Sequence, residues 1–241
     1  LKLELAHIFT RRLVTSSEMG FRLKSKKVKI TGQGIDTEKF KPRAKKTPES
    51  ATIISVGRIS PVKDYETLIN AANILVKKEK LDNLQVIIVG ETPAESQRKY
   101  LIVLKEGVKY LGLGKNIKFV GPVPHEEIQG YYHSSDILVN TSQTGSLDKV
   151  VLEAMACGVV PINCNDAFEK VFGKYAPVLM FKKGNAEDLA KKIKNVLEMG
   201  EGKREKMAKD LREVVVRDHN LDRLIDRIVG VFKEVCSPQK S

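Results

Sequence analysis

Two clusters of residue types in this chain of 241 residues suit chemistry on a charged ligand. The first is Gly57-Arg58-Ile59-Ser60-Pro61-Val62-Lys63-Asp64, which follows the apolar run 51–57 and precedes a helical pattern. A glycine at a strand end lets the backbone turn close past a ligand. Arg58 offers a planar fork and Lys63 a point charge, beside a helix start that itself favours anions. Together they suit a diphosphate clamp; the same spacing also fits a solvated basic turn.

The second cluster spans 142–158. A strand ends in the small and hydroxyl residues Thr144-Gly145-Ser146 and enters a helix through Asp148, Lys149 and Val150. Such a loop offers N–H groups and hydroxyls to a ligand. Glu153 lies one to two turns into this helix among Leu152, Ala154, Met155 and Ala156. A carboxylate in apolar company needs donors. A ribose diol supplies two; a salt bridge or solvent would also serve. Met155 and Cys157 read as core, and Gly158 as the residue that closes the helix.

Other chemistries find little support. His7, His125, His133 and His219 never approach metal-ligand spacing and read as surface or cap residues. There is no Asp-x-Asp for a two-carboxylate metal grip, no Gly-x-Gly-x-x-Gly and no P-loop. Gly112-Leu113-Gly114 reads as a turn. No cofactor is expected.

The net charge of +12 is scattered and suggests an anionic ligand or surface. Lys24, Lys26, Lys27 and Lys29 form its densest cluster, suited to an anionic membrane face or simply to solvent. Nucleic acid is disfavoured, because Trp is absent and aromatics are 6%, too few for stacking platforms. Three distant cysteines exclude a disulfide scaffold and fit a reducing compartment. No run approaches the ~18 apolar residues of a membrane span, and with no h-region at the start a signal peptide is not expected. A cytoplasmic protein, peripheral at the membrane, is the expectation.

The elements that must position these clusters alternate. Strands are predicted at 28–31, 51–57, 84–90, 116–121, 136–140, 159–163 and 177–181, mostly apolar on both faces. Helices are predicted at 64–78, 95–111, 125–134, 148–157 and 185–198. Asp64 stands where an acid favours a helix start. The fold class is therefore α/β, a doubly wound parallel sheet, with ligands at the carboxyl ends of its strands. Residues 203–235 form two amphipathic helices broken at His219-Asn220, expected on one sheet edge. Residues 41–50 read as a linker. The segment before it looks like the tail of an upstream domain, and Leu at position 1 suggests a piece of something longer.

Four segments resemble, in order, the C-terminal, donor-binding half of GT-B glycosyltransferases, in the retaining family-4 group (glycosyl transferases group 1). They are GQGIDTEKFKP (32–42), VGRISPVKDYETLINA (56–71), IKFVGPVPHEEIQGYYHSSDILVN (117–140) and LEAMACGVVPIN (152–163). The resemblance implies a Rossmann-like half of a GT-B fold. Residues 1–34 would be the remnant of an acceptor domain plus the interdomain segment, and 35–241 the nucleotide-sugar donor domain with C-terminal helices.

The resemblance also implies roles. Arg58 and Lys63 would hold the diphosphate and act in catalysis. Glu153 would bind the ribose. Gly57, Gly90, Val120 and Val123 would lie near the nucleotide. Thr144, Gly145, Ser146, Asp148, Lys149 and Val150 would line the diphosphate and donor sugar. The first Glu of the family's E-x7-E motif would fall at 145, where this chain has Gly; the nearest acid is Asp148. Asp64 stands where Gly is usual after the Lys. The implied activity is metal-independent, retaining transfer from a nucleotide-diphosphate sugar to a sugar or lipid-linked acceptor. The alternative is a non-catalytic nucleotide-sugar-binding module that needs a separate acceptor-binding chain.

Overall fold

The computed structural model describes residues 2–21, 25–43, 50–142 and 144–237. The chain opens with α1 (Lys2–Phe9), β1 (Leu13–Thr15) and β2 (Val28–Ile30), the two strands forming a small parallel pair of their own. Then come β3 (Thr52–Val56), α2 (Tyr65–Lys77), β4 (Gln85–Val89), α3 (Glu95–Tyr110), β5 (Ile117–Gly121) and α4 (Ile128–His133). They are followed by β6 (Ile137–Asn140), α5 (Lys149–Ala156), β7 (Val160–Asn163), α6 (Glu169–Phe172) and α7 (Ala176–Leu179). Three longer helices close the chain: α8 (Ala186–Leu197), α9 (Glu201–Asp218) and α10 (Leu221–Cys236).

The main sheet is entirely parallel, in the order β5-β4-β3-β6-β7. The chain winds outward from β3 to β5, then returns to lay β6 on the other side of β3. That reversal opens a crevice beyond the carboxyl ends of β3 and β6, where such sheets take ligands. Every residue of β6 and β7 is buried, so both faces are covered and the strands read as continuous apolar runs. α2 packs against α3 and α8, and α5 packs against α9. The doubly wound α/β reading therefore holds.

Two expectations change. Residues 177–181 are not a strand: α7 ends at Leu179, and only Met180 bridges to Asn163. Pro177 sits in the first turn of that helix, where a missing N–H costs nothing. Of the C-terminal helices, α9 packs on α5 and the edge strand β7, but α10 does not lie on the sheet. It covers the segment before β3 instead. The Leu221 N–H donates to the Ile35 carbonyl at 3.0 Å, the Ile35 N–H donates to the His219 carbonyl at 2.7 Å, and Arg227 donates to the Thr31 carbonyl at 2.6 Å. The break between α9 and α10 does fall at His219-Asn220. Most of the expected linker, 44–49, lies outside the described residues.

Candidate functional site

β3 delivers Gly57 at its carboxyl end, with φ +154°. The next turn, Pro61–Lys63, leads into Asp64 at φ 46°, ψ 53°. That left-handed conformation suits glycine, and Asp is among the few other residues that tolerate it. Asp64 stays because it caps α2, its Oδ1 accepting from the Thr67 N–H at 3.4 Å and its Oδ2 from the Thr67 hydroxyl at 2.8 Å. The Tyr65 hydroxyl donates to the Gly57 carbonyl at 2.9 Å and fixes the turn from below. Burial raises the Tyr65 phenol above its ordinary range, so it remains a donor.

Gly90, at the end of β4, has a packing reason to be glycine. A β-carbon there would stand 1.8 Å from the Gly57 carbonyl oxygen. Gly57, Arg58, Gly90, Val123, Val150 and Glu153 all line one cavity of about 390 Å³ at the strand ends. Arg58 is exposed and makes no hydrogen bond or ion pair with a described residue.

Glu153 projects from α5 and is 5% exposed. Its Oε2 accepts from the Tyr132 hydroxyl at 2.9 Å, and its Oε1 faces His125 Nε2 at 3.2 Å. Burial, reinforced by the Glu153 charge, lifts the Tyr132 phenol well above its usual value and keeps it a donor. Both partners hold the carboxylate at the cavity wall while leaving part of its acceptor capacity open. His125 is exposed, as expected, and in addition it braces Glu153. Its ring also lies edge-on to Phe40 at 5.4 Å, tying this wall to the segment before β3.

Lys63 lies beside Gly57 but points to α5. Its ammonium is 2.9 Å from Asp148 Oδ1, with the two side chains 17% and 14% exposed. Asp148 Oδ2 also accepts from Asn140 at 3.0 Å and Asn165 at 3.4 Å. The expected basic pair is thus split: one cation is unpaired in the cavity wall and the other is neutralised.

The remaining candidates fall elsewhere. Val120 is half-buried and packs on the core rather than lining the cavity. Thr144 is exposed and accepts from the Ser142 hydroxyl at 3.4 Å. The Gly145 carbonyl accepts from Ser17 at 2.7 Å, and the Ser146 carbonyl from Asn165 at 2.6 Å. Gly145, at φ 75°, faces the Met19 carbonyl, 3.2 Å from where a β-carbon would stand. Lys149 is exposed at the start of α5. The 144–147 loop is therefore bound by residues 16–20 and Asn165, not aligned along the cavity. Gln143, just before this loop, lies outside the described residues.

Residues that spacing did not single out complete the site. Tyr132 and His125 brace Glu153 from 21 and 28 positions away. The only available signal was physical: a carboxylate in an apolar helix must have donors. His219 is buried rather than on the surface, although it does close α9. Met155 and Cys157 are core, and burial pushes the Cys157 thiol up to about 12. Gly158 follows α5 at φ 77°, the left-handed closure expected.

Of the basic cluster, Lys24 lies outside the described residues, while Lys27 donates to the His7 carbonyl and Lys29 pairs with Glu234. Among the described residues, no group of three or more His, Cys, Asp or Glu side chains is placed to hold a metal, and no helix is long and apolar enough to cross a membrane.

Comparison with known proteins gives a consistent picture. The family described as "Glycosyl transferases group 1" matches residues 36–214. Mannosylfructose-phosphate synthase of Agrobacterium fabrum is 29% identical over 147 residues, 57% of this chain and 32% of that protein. D-inositol 3-phosphate glycosyltransferase 2 of Catenulispora acidiphila is 31% identical over 142 residues, 55% of this chain and 33% of that protein. The chain thus spans about a third of the curated relatives it matches.

Among solved structures, Anabaena HepE in complex with UDP and glucose superposes with a TM-score of 0.81 at 17% identity, over 96% of this chain and 65% of that one. The C-terminal domain of a glycosyl transferase group 1 protein from Francisella tularensis does so with a TM-score of 0.69 at 23% identity. It is matched over 78% of this chain and 100% of its own. These likenesses establish the fold alone, a Rossmann-like α/β domain of the GT-B type.

Proposed function

The chain belongs to the glycosyl transferases group 1 family, and on that premise we propose that it is the donor-binding half of a glycosyltransferase. The transfer is from a nucleotide-diphosphate sugar to an acceptor, which the upstream part of the enzyme would bind. One observation carries the reading. A buried, braced carboxylate, Glu153, and an unpaired guanidinium, Arg58, face the same cavity at the strand ends. The carboxylate suits the hydroxyls of a ribose, and the guanidinium suits a phosphate.

The departing nucleoside diphosphate gains negative charge in the transition state. Fixed cations are an economical means of stabilising it. Arg58 is in position for this, and Lys63 becomes so if it leaves Asp148. In this proposal no metal is required and the anomeric configuration is retained. The donor sugar would lie toward the 144–147 loop.

A second reading has its own support. Gly145 brings no side chain to the sugar, and Lys63 is already neutralised, which favours a module that binds nucleotide sugars without turnover.

A thermal-shift panel of UDP-, GDP- and ADP-sugars tests the shared premise. A ligand at 100 times its Kd stabilises by about 2.7 kcal/mol, roughly 5–10 °C for a chain of this size. The shift should survive EDTA. A flat panel would refute donor binding, and a shift abolished by EDTA would refute metal independence. Turnover by this chain together with an acceptor would remove the second reading.

A further inference from the structure

The two cations of the site are not equivalent, and the difference lies in Asp148. This residue stands at the N-cap position of α5, yet its side chain makes no capping bond to the helix. It turns instead to Lys63, with Nζ 2.9 Å from Oδ1, while Asn140 and Asn165 donate to Oδ2. One ammonium and two amide donors on a largely covered anion form the environment that a phosphate group would receive. Thr141 donates to the Lys63 backbone carbonyl, so the lysine is tethered at its main chain as well as its tip.

Resting on the donor-binding reading above, we propose that Asp148 is a resident anion of the diphosphate clamp. It occupies Lys63 when no donor is bound and opposes the incoming diphosphate. The opposition has two parts. The ligand must share or displace the carboxylate at Lys63, and it must approach a fixed negative charge. Both are stronger here than at an open surface, because the pair is mostly shielded from water. Arg58 carries no such handicap and makes the first contact with the ligand. The consequence is weak retention of a nucleoside diphosphate, whether it arrives with a sugar or remains after the sugar has left.

Calorimetric titration of four proteins decides the matter: the native chain, Asp148→Asn, Lys63→Met and the double variant. Two probes are used, inorganic pyrophosphate and UDP. Asp148→Asn should bind both on the order of tenfold more tightly than the native chain. In the Lys63→Met background the same change should gain no more than about threefold, because only the like charge is then removed. Asp148→Asn binding pyrophosphate no better, or worse, while melting as a folded protein would overturn the proposal; Asp148 would then position Lys63 for the ligand. If Asp148→Asn does not fold, Asp148→Ser keeps an acceptor for Asn140 and Asn165 and serves in its place. UDP binding no tighter than pyrophosphate in all four proteins would refute the nucleotide reading, and the pyrophosphate series would still decide the clamp.

Discussion

Replacing Glu153 by Gln separates a carboxylate that reads ribose from one that only braces the fold. In the native site Oε2 accepts from Tyr132 at 2.9 Å and Oε1 faces His125 at 3.2 Å. A carboxylate has about four acceptor positions, so about two remain for a ligand. Tyr132 is fully buried, and Glu153 is its one acceptor among the described residues. The new amide must keep its oxygen there, because a stranded phenol costs about 1–3 kcal/mol.

The amide NH2 then faces His125 and the cavity, and His125 can answer by presenting its unprotonated nitrogen. Each bond that changes from charged to neutral loses about 1 kcal/mol. Folding stability should therefore drop by about 1–2 kcal/mol, roughly 2–8 °C in Tm. A ribose 2′-hydroxyl, which must now accept from the amide NH2 instead of donating to a carboxylate, loses about the same amount, about fivefold in Kd. The assay is paired calorimetry with UDP and 2′-deoxy-UDP. The native chain should prefer UDP, and Glu153→Gln should narrow that preference about fivefold. Equal losses for both ligands in a folded variant would refute the ribose role. Collapse of the fold would leave the brace as the residue's whole purpose.

Arg58→Ala should cost about 1.5–3 kcal/mol of UDP affinity and leave uridine binding and Tm within error, since Arg58 has no partner among the described residues; an equal loss for uridine would show damage to the fold. Gly90→Ala drives a β-carbon to 1.8 Å from the Gly57 oxygen, and calorimetric melting should register a destabilisation of about 1–3 kcal/mol, with an unchanged Tm as the contrary result. Burial holds His219 below its ordinary 6.5, partly offset by Asp218 and supported by Arg227. The unfolded chain then takes up the proton first, so stability is full above pH 6.5 and falls as the pH drops toward the lower folded value. His219→Gln should flatten that acid limb, and an identical limb in the variant would exclude His219 as its source.

How much of the structure is legible in the sequence depends on the range over which each feature is decided. The strands β3, β6 and β7 were legible because burial on both faces writes itself as a largely apolar run, and β4 because its residues 86–89 are all aliphatic. α2 was legible from its stripe and its capping acid, both local. Residues 177–181 misled because an apolar run is equally at home in a short buried helix, and one bridge at Met180 does not make a strand. The same limit governs the site. Gly57, Arg58 and Glu153 sit in motifs whose spacing shows them, and the fold brings all three to one cavity. Charge, however, is partnered through space.

Lys63 and Asp148 are 85 positions apart, and Glu153 meets Tyr132 and His125 across two different turns. No local pattern tells a lysine free to meet a phosphate from one already holding a carboxylate. The two cations have equal standing in the motif and unequal standing in the fold. That inequality makes a definite demand on the mechanism: if Lys63 takes part in transfer, Asp148 must share it or give it up, and the cost of that exchange belongs to donor binding rather than to the chemical step.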